Sequence, residues 1–343
     1  MGPRRHRPSG APHGAARGRN AGSAVTLRTL YPATEPRLAQ WLPVGDGHEI
    51  YFEDAGAPEA LPVVFLHGGP GGGCKPSHRQ FFAPARYRAV LFDQRGAGRS
   101  RPFGETAHNT TPHLVADMER LREHLAIESW VLFAGSWGAA LALAYAEQFP
   151  DRVRGIVLRG AFLARPCDLD WFLHAGAARL LPQAWAALNA SLGQPAHLVS
   201  ALHQALFGAD PTLALAAARA WTAWSTEVVM YSFNSVEGEA EGTTEEMLAK
   251  ARIELHYAVN RYFLADNQLL AQAHRLPRVP VHLVHGQRDL TCTAAASWAL
   301  HQAIPGSRLE ILRTAGHLSG EPLVSDALLR AADQMADELL GHV

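Results

Sequence analysis

A serine, an aspartate and a histidine, which together can catalyse acyl transfer, each follow a buried strand that the sequence predicts. Ser136 lies in Ala134-Gly-Ser-Trp-Gly138, between a predicted strand and a predicted helix. A serine at such a junction sits on a sharp turn that presents its hydroxyl, and the turn needs small neighbours such as Ala134. Asp289 follows a later strand, and His317 follows the last one. This order predicts that Ser136 is a nucleophile, that His317 takes its proton and that Asp289 orients the imidazole.

Each of the three residues also has an ordinary structural interpretation. Ser136 could cap the helix that follows it, and an aspartate beside a glycine, like Asp289, is common in turns. With 18 histidines in the chain, a histidine after a strand carries little information by itself. The strand and helix on either side of Ser136, together with the order of the three residues, favour the catalytic interpretation.

A glycine-rich segment after another predicted strand completes the set. It reads HGGPGGGC and begins at His67, which we interpret as structural. Glycines let the main chain approach a substrate and offer free N–H groups, and a tetrahedral oxyanion needs two such donors. We therefore predict an oxyanion hole formed by the N–H groups of Gly69 and of Trp137, the residue after the nucleophile. A phosphate-binding loop is the rival interpretation, but the chain lacks the Gly-Lys-Ser/Thr and G-x-G-x-x-G patterns there.

The elements that must position these residues alternate along the chain. Nearly continuous apolar runs predict strands buried on both faces at 61–66, 88–93, 129–134, 155–160, 280–285 and 308–313. Residues 41–52, interrupted by Gly45-Asp-Gly47, predict an antiparallel hairpin. Helical patterns cover 111–125 and 137–149. We therefore predict an α/β fold with a mostly parallel sheet and helices on both faces, in which ligands bind at the carboxyl ends of the strands.

The alternation stops near residue 162 and resumes after residue 277. Between these points, residues 165–272 are rich in Ala and Leu and poor in β-branched residues, which predicts an all-helical insertion. We expect a disordered basic tail at 1–25, an α/β core formed by 26–164 and 274–343, and a helical cap at 165–273 inserted after the sixth strand. The tail carries five arginines and no acidic residue, and a start site assigned too early would also explain it.

Composition narrows the classes of function. The chain has 343 residues, of which 48% are hydrophobic and 18% charged, which is typical of a globular protein and not of a disordered one. Its 31 basic and 32 acidic residues give a net charge of −1, which argues against a nucleic-acid partner. No apolar run approaches the ~18 residues of a membrane span, and no secretory signal is recognisable. The sequence makes no prediction of the oligomeric state.

The cysteines and histidines show no metal-binding or disulfide pattern. Cys74, Cys167 and Cys292 are too few and too scattered for a disulfide framework or a zinc site. We therefore expect a reducing compartment, the cytoplasm. Because no His-Glu-x-x-His motif occurs either, we expect neither a catalytic metal nor an organic cofactor.

Taken together, these motifs resemble those of the proline iminopeptidases (prolyl aminopeptidases), a family with the α/β-hydrolase fold. The resemblance covers roughly residues 27–325. The segments that carry it are LRTLYP (27–32), HGGPGGG (67–73), DQRGAGRS (93–100), HNTT (108–111), GSWG (135–138), LALAY (141–145), LRGAF (158–162), DLDWF (168–172) and ARIE (251–254). Matches inside the insertion are the more informative ones, because many hydrolases share the core motifs while the insertion shapes the substrate pocket.

The resemblance implies an enzyme that releases an N-terminal proline from small peptides with a free N-terminus. It also implies that carboxylates of the cap hold the substrate amine and that aromatic residues hold the pyrrolidine ring. By the same resemblance, Glu254 matches an amine-binding carboxylate, Phe162 a pocket aromatic and Cys292 a pocket cysteine.

One departure from the family concerns the second amine-binding carboxylate. Where the family has Trp-x-x-Trp-Glu, this chain has Trp221-Thr-Ala-Trp-Ser225, so Ser225 replaces that glutamate. Glu227 lies about 200° further round a helix and is poorly placed to substitute, whereas Glu237 or Glu239 in the acidic segment 237–246 could do so. Because a charge-assisted contact to an ammonium group is stronger than a neutral one, we expect weaker binding of a free amine.

Three hypotheses follow. The first is a serine aminopeptidase that acts through an acyl-enzyme and prefers an N-terminal proline or small residue, and Glu254 supports it. The second, which Ser225 supports, is an esterase or amidase of the same fold that needs no free substrate amine. The third is a catalytically silent binding scaffold, which the complete triad disfavours. We interpret Arg95 and Arg99 as braces of their own loop, and Trp171 as either cap core or pocket lining.

Overall fold

The buried strands that the sequence predicts form one central sheet. The computed structural model describes residues 26–174, 176–232 and 242–341, together with Gly2. The strands are β1 (Leu38–Gly45), β2 (His48–Gly56), β3 (Leu61–Leu66), β4 (Tyr87–Phe92), β5 (Trp130–Gly135), β6 (Val153–Arg159), β7 (Val281–Gly286) and β8 (Arg308–Leu312). The six strands predicted from apolar runs agree with β3 to β8 within one or two residues at each end.

The sheet is mostly parallel, as predicted. Its strands lie in the order β1-β2-β4-β3-β5-β6-β7-β8. β2 runs antiparallel to both β1 and β4, and every other neighbouring pair is parallel. The predicted hairpin joins β1 to β2 through Gly45 and Gly47, whose φ angles of 86° and 77° favour glycine. The carboxyl ends of the six strands from β3 to β8 therefore meet at one edge.

Helices cover both faces of the sheet and fill the insertion. They are α1 (Thr111–His124), α2 (Trp137–Gln148), α3 (Pro166–Leu173), α4 (Pro182–Ser191), α5 (Leu198–Phe207), α6 (Pro211–Val229), α7 (Thr244–Val259), α8 (Gln268–Ala271), α9 (Ala294–Ala303) and α10 (Pro322–Leu340), with 3-10 helices at Pro76–Phe81, Pro150–Arg152, Ala177–Arg179, Arg261–Phe263 and Ala273–Arg275. None of these helices is both long enough and apolar enough to span a bilayer. The fold class predicted from the sequence, an α/β core with a helical insertion after the sixth strand, is confirmed.

Three hydrophobic clusters correspond to the two faces of the sheet and to the insertion. One cluster joins α1, α2 and α9 to the sheet, and it includes Leu114, Met118 and Leu121 of α1 together with Leu125, which follows that helix. A second cluster lies under α10, and a third holds the helices of the insertion together. Because α3 begins only after β6 and β7 follows α8, we propose the predicted division into core (26–164 and 274–343) and cap (165–273). The predicted tail at 1–25, apart from Gly2, lies outside the described residues.

In the helical insertion, the two longest helices, α6 and α7, each begin at a residue whose side chain caps the helix N-terminus. The Asp210 carboxylate accepts hydrogen bonds from the N–H groups of Thr212 and Leu213 at the start of α6. At the start of α7, Thr243 and Glu246 form a reciprocal capping box. These bonds fix where α6 and α7 begin, and therefore which of their residues face the core.

Candidate active site

Ser136 occupies a strained turn between β5 and α2. Its backbone has φ 58° and ψ −126°, a conformation that non-glycine residues rarely adopt. The Ser136 side chain makes no capping hydrogen bond to α2, so the helix-cap interpretation does not account for it. Its main-chain N–H donates to the carbonyl of Arg159 at 3.0 Å, which ties the turn to β6. The hydroxyl is therefore held at the carboxyl edge of the sheet.

Asp289 and His317 form a buried hydrogen-bonded pair at the same edge. His317 Nδ1 lies 2.7 Å from Asp289 Oδ2, and both side chains are buried. The other Asp289 oxygen accepts the N–H groups of Thr291 and Cys292 at 2.8 and 2.9 Å. Burial by itself would raise the pKa of Asp289, but these contacts outweigh it and lower that pKa. Asp289 is therefore ionised and able to hold the imidazole in one orientation.

Gly160, at the end of β6, lies beside both members of this pair. A Cβ at Gly160 would lie 3.1 Å from Asp289 Oδ2 and 3.3 Å from His317 Nδ1. Its φ of 52° also disfavours a larger residue. The main-chain N–H of Ser136 donates to the carbonyl of Arg159, the residue before Gly160. The three predicted catalytic residues therefore lie around Arg159 and Gly160, where β6 ends.

Arg159 is a feature of the site that the sequence analysis did not single out, although it lies in the LRGAF segment. Its Nη1 donates to the His317 carbonyl at 2.5 Å. The guanidinium lies against Gly135, where a Cβ would come within 2.3 Å of Nη2. Burial lowers the pKa of Arg159, and the charge of Asp289 partly offsets that effect. Arg159 therefore connects the serine turn to the loop of His317.

Glu321 fixes the loop of His317 from its other side. Its carboxylate accepts the N–H groups of Gly316 and Leu318 at 2.8 and 3.2 Å, one on each side of the histidine. Ser232, the last described residue before the gap at 233–241, also donates to this carboxylate at 3.2 Å. Nothing in the spacing of the sequence distinguishes Glu321 from other acidic residues near a helix start.

The glycine-rich loop lies beside Ser136, as the oxyanion-hole prediction requires. A Cβ at Gly68 would lie 3.2 Å from Ser136 Cβ and 3.7 Å from its Oγ. Gly69 has φ 120°, which an L side chain rarely adopts. Trp137 is the first residue of α2, and a helix leaves the N–H groups of its first turn without intrahelical partners. The glycine-rich loop and the first turn of α2 thus both adjoin Ser136, and the oxyanion hole of Gly69 and Trp137 stays a prediction.

Gln94 holds the loop and the helix together, and it is another residue that the sequence analysis did not single out. Its side chain donates to the His67 carbonyl at 2.9 Å and accepts from the Trp137 indole at 2.8 Å. Its main-chain N–H lies 3.0 Å from His67 Nε2. Burial lowers the pKa of His67, and within the described residues its ring forms hydrogen bonds to the main chain of Gly68, Gly73 and Gln94. This is the structural role predicted for His67.

Cys292 is buried in the loop after β7, where its main-chain N–H donates to Asp289 at 2.9 Å. Burial and the nearby Asp289 raise the pKa of Cys292 well above its ordinary value. The thiol is therefore neutral near pH 7, and we expect it to line the site rather than to act as a competing nucleophile.

Glu254 projects from α7, which packs directly on the glycine-rich loop. A Cβ at Gly71 would touch Ile253, the neighbour of Glu254, at 3.4 Å. The Trp221 indole donates to Glu254 Oε2 at 2.7 Å, and Lys250 Nζ lies 3.9 Å from Oε1. Burial raises the pKa of Glu254, and Lys250 and Trp221 oppose that shift. The cap thus supplies a carboxylate close to the loop that lies against Ser136.

Phe162 belongs to an aromatic cluster centred on Tyr262, which the sequence analysis missed. The ring centroid of Tyr262 lies 4.8 Å from that of Phe162 and 5.4 Å from that of Trp137. Burial, and then the charge of Glu254, raise the pKa of Tyr262. Tyr262 and its two neighbours all have φ near +50°, a strained conformation of the kind found at ligand sites. Tyr262 therefore links the predicted ring pocket to the predicted amine site.

Ser225 makes no contribution to the charge of this pocket. Its hydroxyl donates to the carbonyl of Thr222 in its own helix at 3.1 Å. Glu227 is exposed while Trp221 is buried, so Glu227 faces away from the Glu254 side of α6, as expected. Glu237 and Glu239, the other proposed substitutes, lie outside the described residues.

Three remaining residues have structural contacts. Arg95 forms a two-bond contact with the buried Asp117, and Arg99 bonds Asp93, so both brace their loop as predicted. Trp171 is partly buried, and its indole donates to the carbonyl of Leu290 at 2.8 Å. Trp171 therefore contacts the segment between Asp289 and Cys292, and it joins the cap to the core.

Comparison with known proteins decides the family. A model of the alpha/beta hydrolase fold matches residues 62–321. A proline iminopeptidase of Xanthomonas citri is 47% identical over 315 residues, which are 90% of this chain and 100% of that protein. The chain belongs to the proline iminopeptidase family. A second member, the proline iminopeptidase of Arabidopsis thaliana, is 44% identical over 315 residues, which are 91% of this chain and 83% of the plant protein.

Solved structures agree with this family. The proline iminopeptidase-related protein of Thermus thermophilus is 26% identical with a TM-score of 0.57, over 88% of this chain and 98% of that one. An esterase of a Rhodococcus species has the same TM-score of 0.57 at 17% identity, over 88% and 99% of the two chains. At that level of identity, the likeness to the esterase concerns the fold alone.

Proposed function

We propose that this chain is a serine aminopeptidase that releases an N-terminal residue, preferably proline, from small peptides. The observation that carries the proposal is the partly buried Glu254 carboxylate on α7, whose neighbour Ile253 packs on the loop beside Ser136. A carboxylate at that place can pair with the ammonium group of a peptide whose first carbonyl lies at the serine. The proline iminopeptidases that match nearly the whole chain support the same substrate class.

In the proposed reaction, Ser136 Oγ attacks the carbonyl carbon of the first residue while His317 Nε2 accepts the hydroxyl proton. Asp289, bonded to Nδ1 at 2.7 Å, keeps the ring in the required tautomer and stabilises the imidazolium. The N–H groups of Gly69 and Trp137 stabilise the oxyanion. The imidazolium then protonates the leaving amine as the C–N bond breaks, which leaves an ester of Ser136. Water, deprotonated by His317, hydrolyses this acyl-enzyme.

The pocket supports an exopeptidase. Pairing of Glu254 with a free ammonium group fixes the distance between the N-terminus and the attacked carbonyl, so that only the first peptide bond reaches Ser136. The rings of Phe162 and Tyr262, 4.8 Å apart, offer apolar faces for a pyrrolidine ring. The neutral Cys292 thiol closes the site near the nucleophile.

A second candidate function is supported by Ser225. With a hydroxyl where the family has a second carboxylate, the chain could act as an esterase or amidase that needs no free amine. The ion pair between Lys250 and Glu254 also reduces the charge available to a substrate. We also propose a cytoplasmic location, because all three cysteines are free thiols.

The test compares proline-p-nitroanilide, alanine-p-nitroanilide, N-acetyl-proline-p-nitroanilide and p-nitrophenyl acetate as substrates of the wild type and of Ser136→Ala. We expect proline-p-nitroanilide to be the best amide substrate, with a loss of at least about 10⁴-fold in kcat for the variant. Turnover of the ester alone, or equal turnover of free and acetylated proline, would favour the second function. Full activity of Ser136→Ala would contradict both.

A further inference from the structure

Two histidines and an aspartate converge at the outer end of the edge that carries the active site. Asp46 lies in the turn between β1 and β2, His108 precedes α1, and His113 lies in the first turn of that helix. Their ligand atoms, one from each side chain, all lie within 4.8 Å of one another. His113 Nε2 is 3.9 Å from Asp46 Oδ2, and the two imidazole centroids are 5.9 Å apart at 78°.

Neighbouring groups orient these side chains. Thr110 Oγ1 lies 2.7 Å from His113 Nδ1, so the hydroxyl can accept the Nδ1 proton and leave the Nε2 lone pair directed towards Asp46. Arg95 Nη1 donates both to the His108 carbonyl at 2.7 Å and to Asp46 Oδ2 at 3.1 Å. These bonds hold the turn and the loop in register with each other.

The guanidinium of Arg95 does not exclude a cation at this place. Asp117 accepts two hydrogen bonds from it, at 2.7 and 2.9 Å, and balances its charge. The Asp46 carboxylate has about four lone-pair positions on its two oxygens, and Arg95 uses only one of them. Asp46 and His108 are exposed, so a cation can reach them from solvent.

We propose that Asp46, His108 and His113 form a binding site for a divalent transition metal ion of the Zn²⁺ class. Two imidazoles and one carboxylate are a ligand set that Zn²⁺ prefers, whereas Mg²⁺ and Ca²⁺ prefer oxygen ligands alone. Zinc bonds of about 2.0–2.2 Å draw the three atoms together by side-chain rotation. Water completes a four-coordinate site.

The role of this metal ion is to brace the fold and not to take part in peptide hydrolysis. The three ligands lie at the β1 end of the sheet, whereas Ser136, Asp289 and His317 follow β5, β7 and β8. Asn109, which follows His108 in the chain, connects the loop before α1 to the cap, because Tyr257 of α7 donates to its side chain at 2.9 Å. A bound ion would therefore stabilise the loop to which α7 is attached.

The test is a calorimetric titration of the full-length chain, stripped with a chelator, with ZnCl2 and separately with MgCl2. We expect micromolar binding of Zn²⁺, no comparable binding of Mg²⁺, and a higher Tm with Zn²⁺ present. His108→Gln, His113→Gln and Asp46→Asn should each weaken the site at least ten-fold. Asp46→Asn keeps an oxygen for Arg95, so its fold is the least disturbed of the three. Co²⁺ should give the visible absorption of a four-coordinate site in the wild type but not in these three variants.

His174→Gln is the matched control, because His174 is another exposed histidine beside a carboxylate, with 3.8 Å between its Nδ1 and Asp170. This variant should bind zinc as the wild type does. Zinc affinity that is the same in the three ligand variants as in the wild type would overturn the proposal. Failure of the wild type to bind Zn²⁺ would overturn it as well. Neither result would bear on the serine mechanism.

Discussion

The catalytic edge of the sheet and the amine pocket of the cap differ in how their charged groups are held. Asp289 accepts two main-chain N–H groups besides His317, and its loop follows a buried strand. Glu254 is held by two side chains instead, the indole of Trp221 and the ammonium group of Lys250, both on cap helices. Main-chain bonds do not depend on side-chain identity, whereas side-chain bonds change with single substitutions.

This difference separates the chemistry of the enzyme from its choice of substrate. In the proposed mechanism, main-chain hydrogen bonds at the sheet edge position Ser136 and Asp289, and Asp289 positions His317. The proposed cap pocket depends on individual side chains, and Ser225, whose hydroxyl donates to the Thr222 carbonyl of its own helix, supplies no charge to it. We therefore expect variants of the sheet edge to affect all substrates and variants of the cap to affect only substrates with a free amine.

The largest effect is expected from Asp289→Asn. An amide in place of the carboxylate leaves His317 in the wrong tautomer, which should lower kcat by about 10⁴-fold for every substrate. Kinetics with proline-p-nitroanilide and with p-nitrophenyl acetate would measure it. Asp170→Asn, at an exposed carboxylate of the cap, is the control. A loss confined to the free-amine substrate would contradict the separation of the two regions.

Gly135→Ala should disturb the sheet edge through packing. The new Cβ would come within 2.3 Å of Arg159 Nη2, and overpacking of this kind costs about 1–3 kcal/mol of unfolding free energy. Urea unfolding measures the cost, and activity should fall for all substrates because Arg159 also holds the His317 carbonyl. Ala134→Gly in the adjacent position should cost no more than about 1 kcal/mol. Equal unfolding free energies for wild type and Gly135→Ala would refute this account of Arg159.

Ser225→Glu should strengthen the binding of substrates with a free amine. Residue 225 lies one helical turn after Trp221, whose indole bonds Glu254, so a carboxylate there would face the same substrate amine. We expect a KM for proline-p-nitroanilide about ten-fold lower, with no change for the acetylated substrate. Glu227→Gln, on the exposed side of α6, should change neither. An equal effect on both substrates would show that residue 225 does not face the amine.

Lys250→Met should have the smallest effect. Removal of the competing ammonium group should raise kcat/KM for proline-p-nitroanilide about two- to five-fold. Lys250 lowers the pKa of Glu254, so in this variant Glu254 should become protonated at a higher pH. The preference for the free-amine substrate should therefore begin to fall at a higher pH than in the wild type. The ratio of kcat/KM for the free substrate to that for the acetylated substrate, followed against pH, isolates this effect from pH effects that both substrates share. Lys250→Arg should behave as the wild type, and a profile unchanged in Lys250→Met would contradict the role of the ion pair.

The sequence predicted the sheet edge better than the cap. Strands buried on both faces appear as continuous apolar runs, so β3 to β8 and the residues that follow them were located within one or two positions. Arg159 and Tyr262 were missed because their roles depend on tertiary contacts, the first with the His317 carbonyl and the second with Phe162. Similarly, no motif unites Asp46 with His108, since tertiary contacts, including those of Arg95, bring their segments together.

The central claim is that Glu254 selects substrates with a free N-terminal amine. The most direct measurement is the ratio of kcat/KM for proline-p-nitroanilide to that for N-acetyl-proline-p-nitroanilide, in the wild type and in Glu254→Gln. Loss of a charged contact should reduce the ratio about 10- to 100-fold, whereas Glu245→Gln at an exposed position of α7 should leave it unchanged. The same ratio in the wild type and in Glu254→Gln would contradict the account.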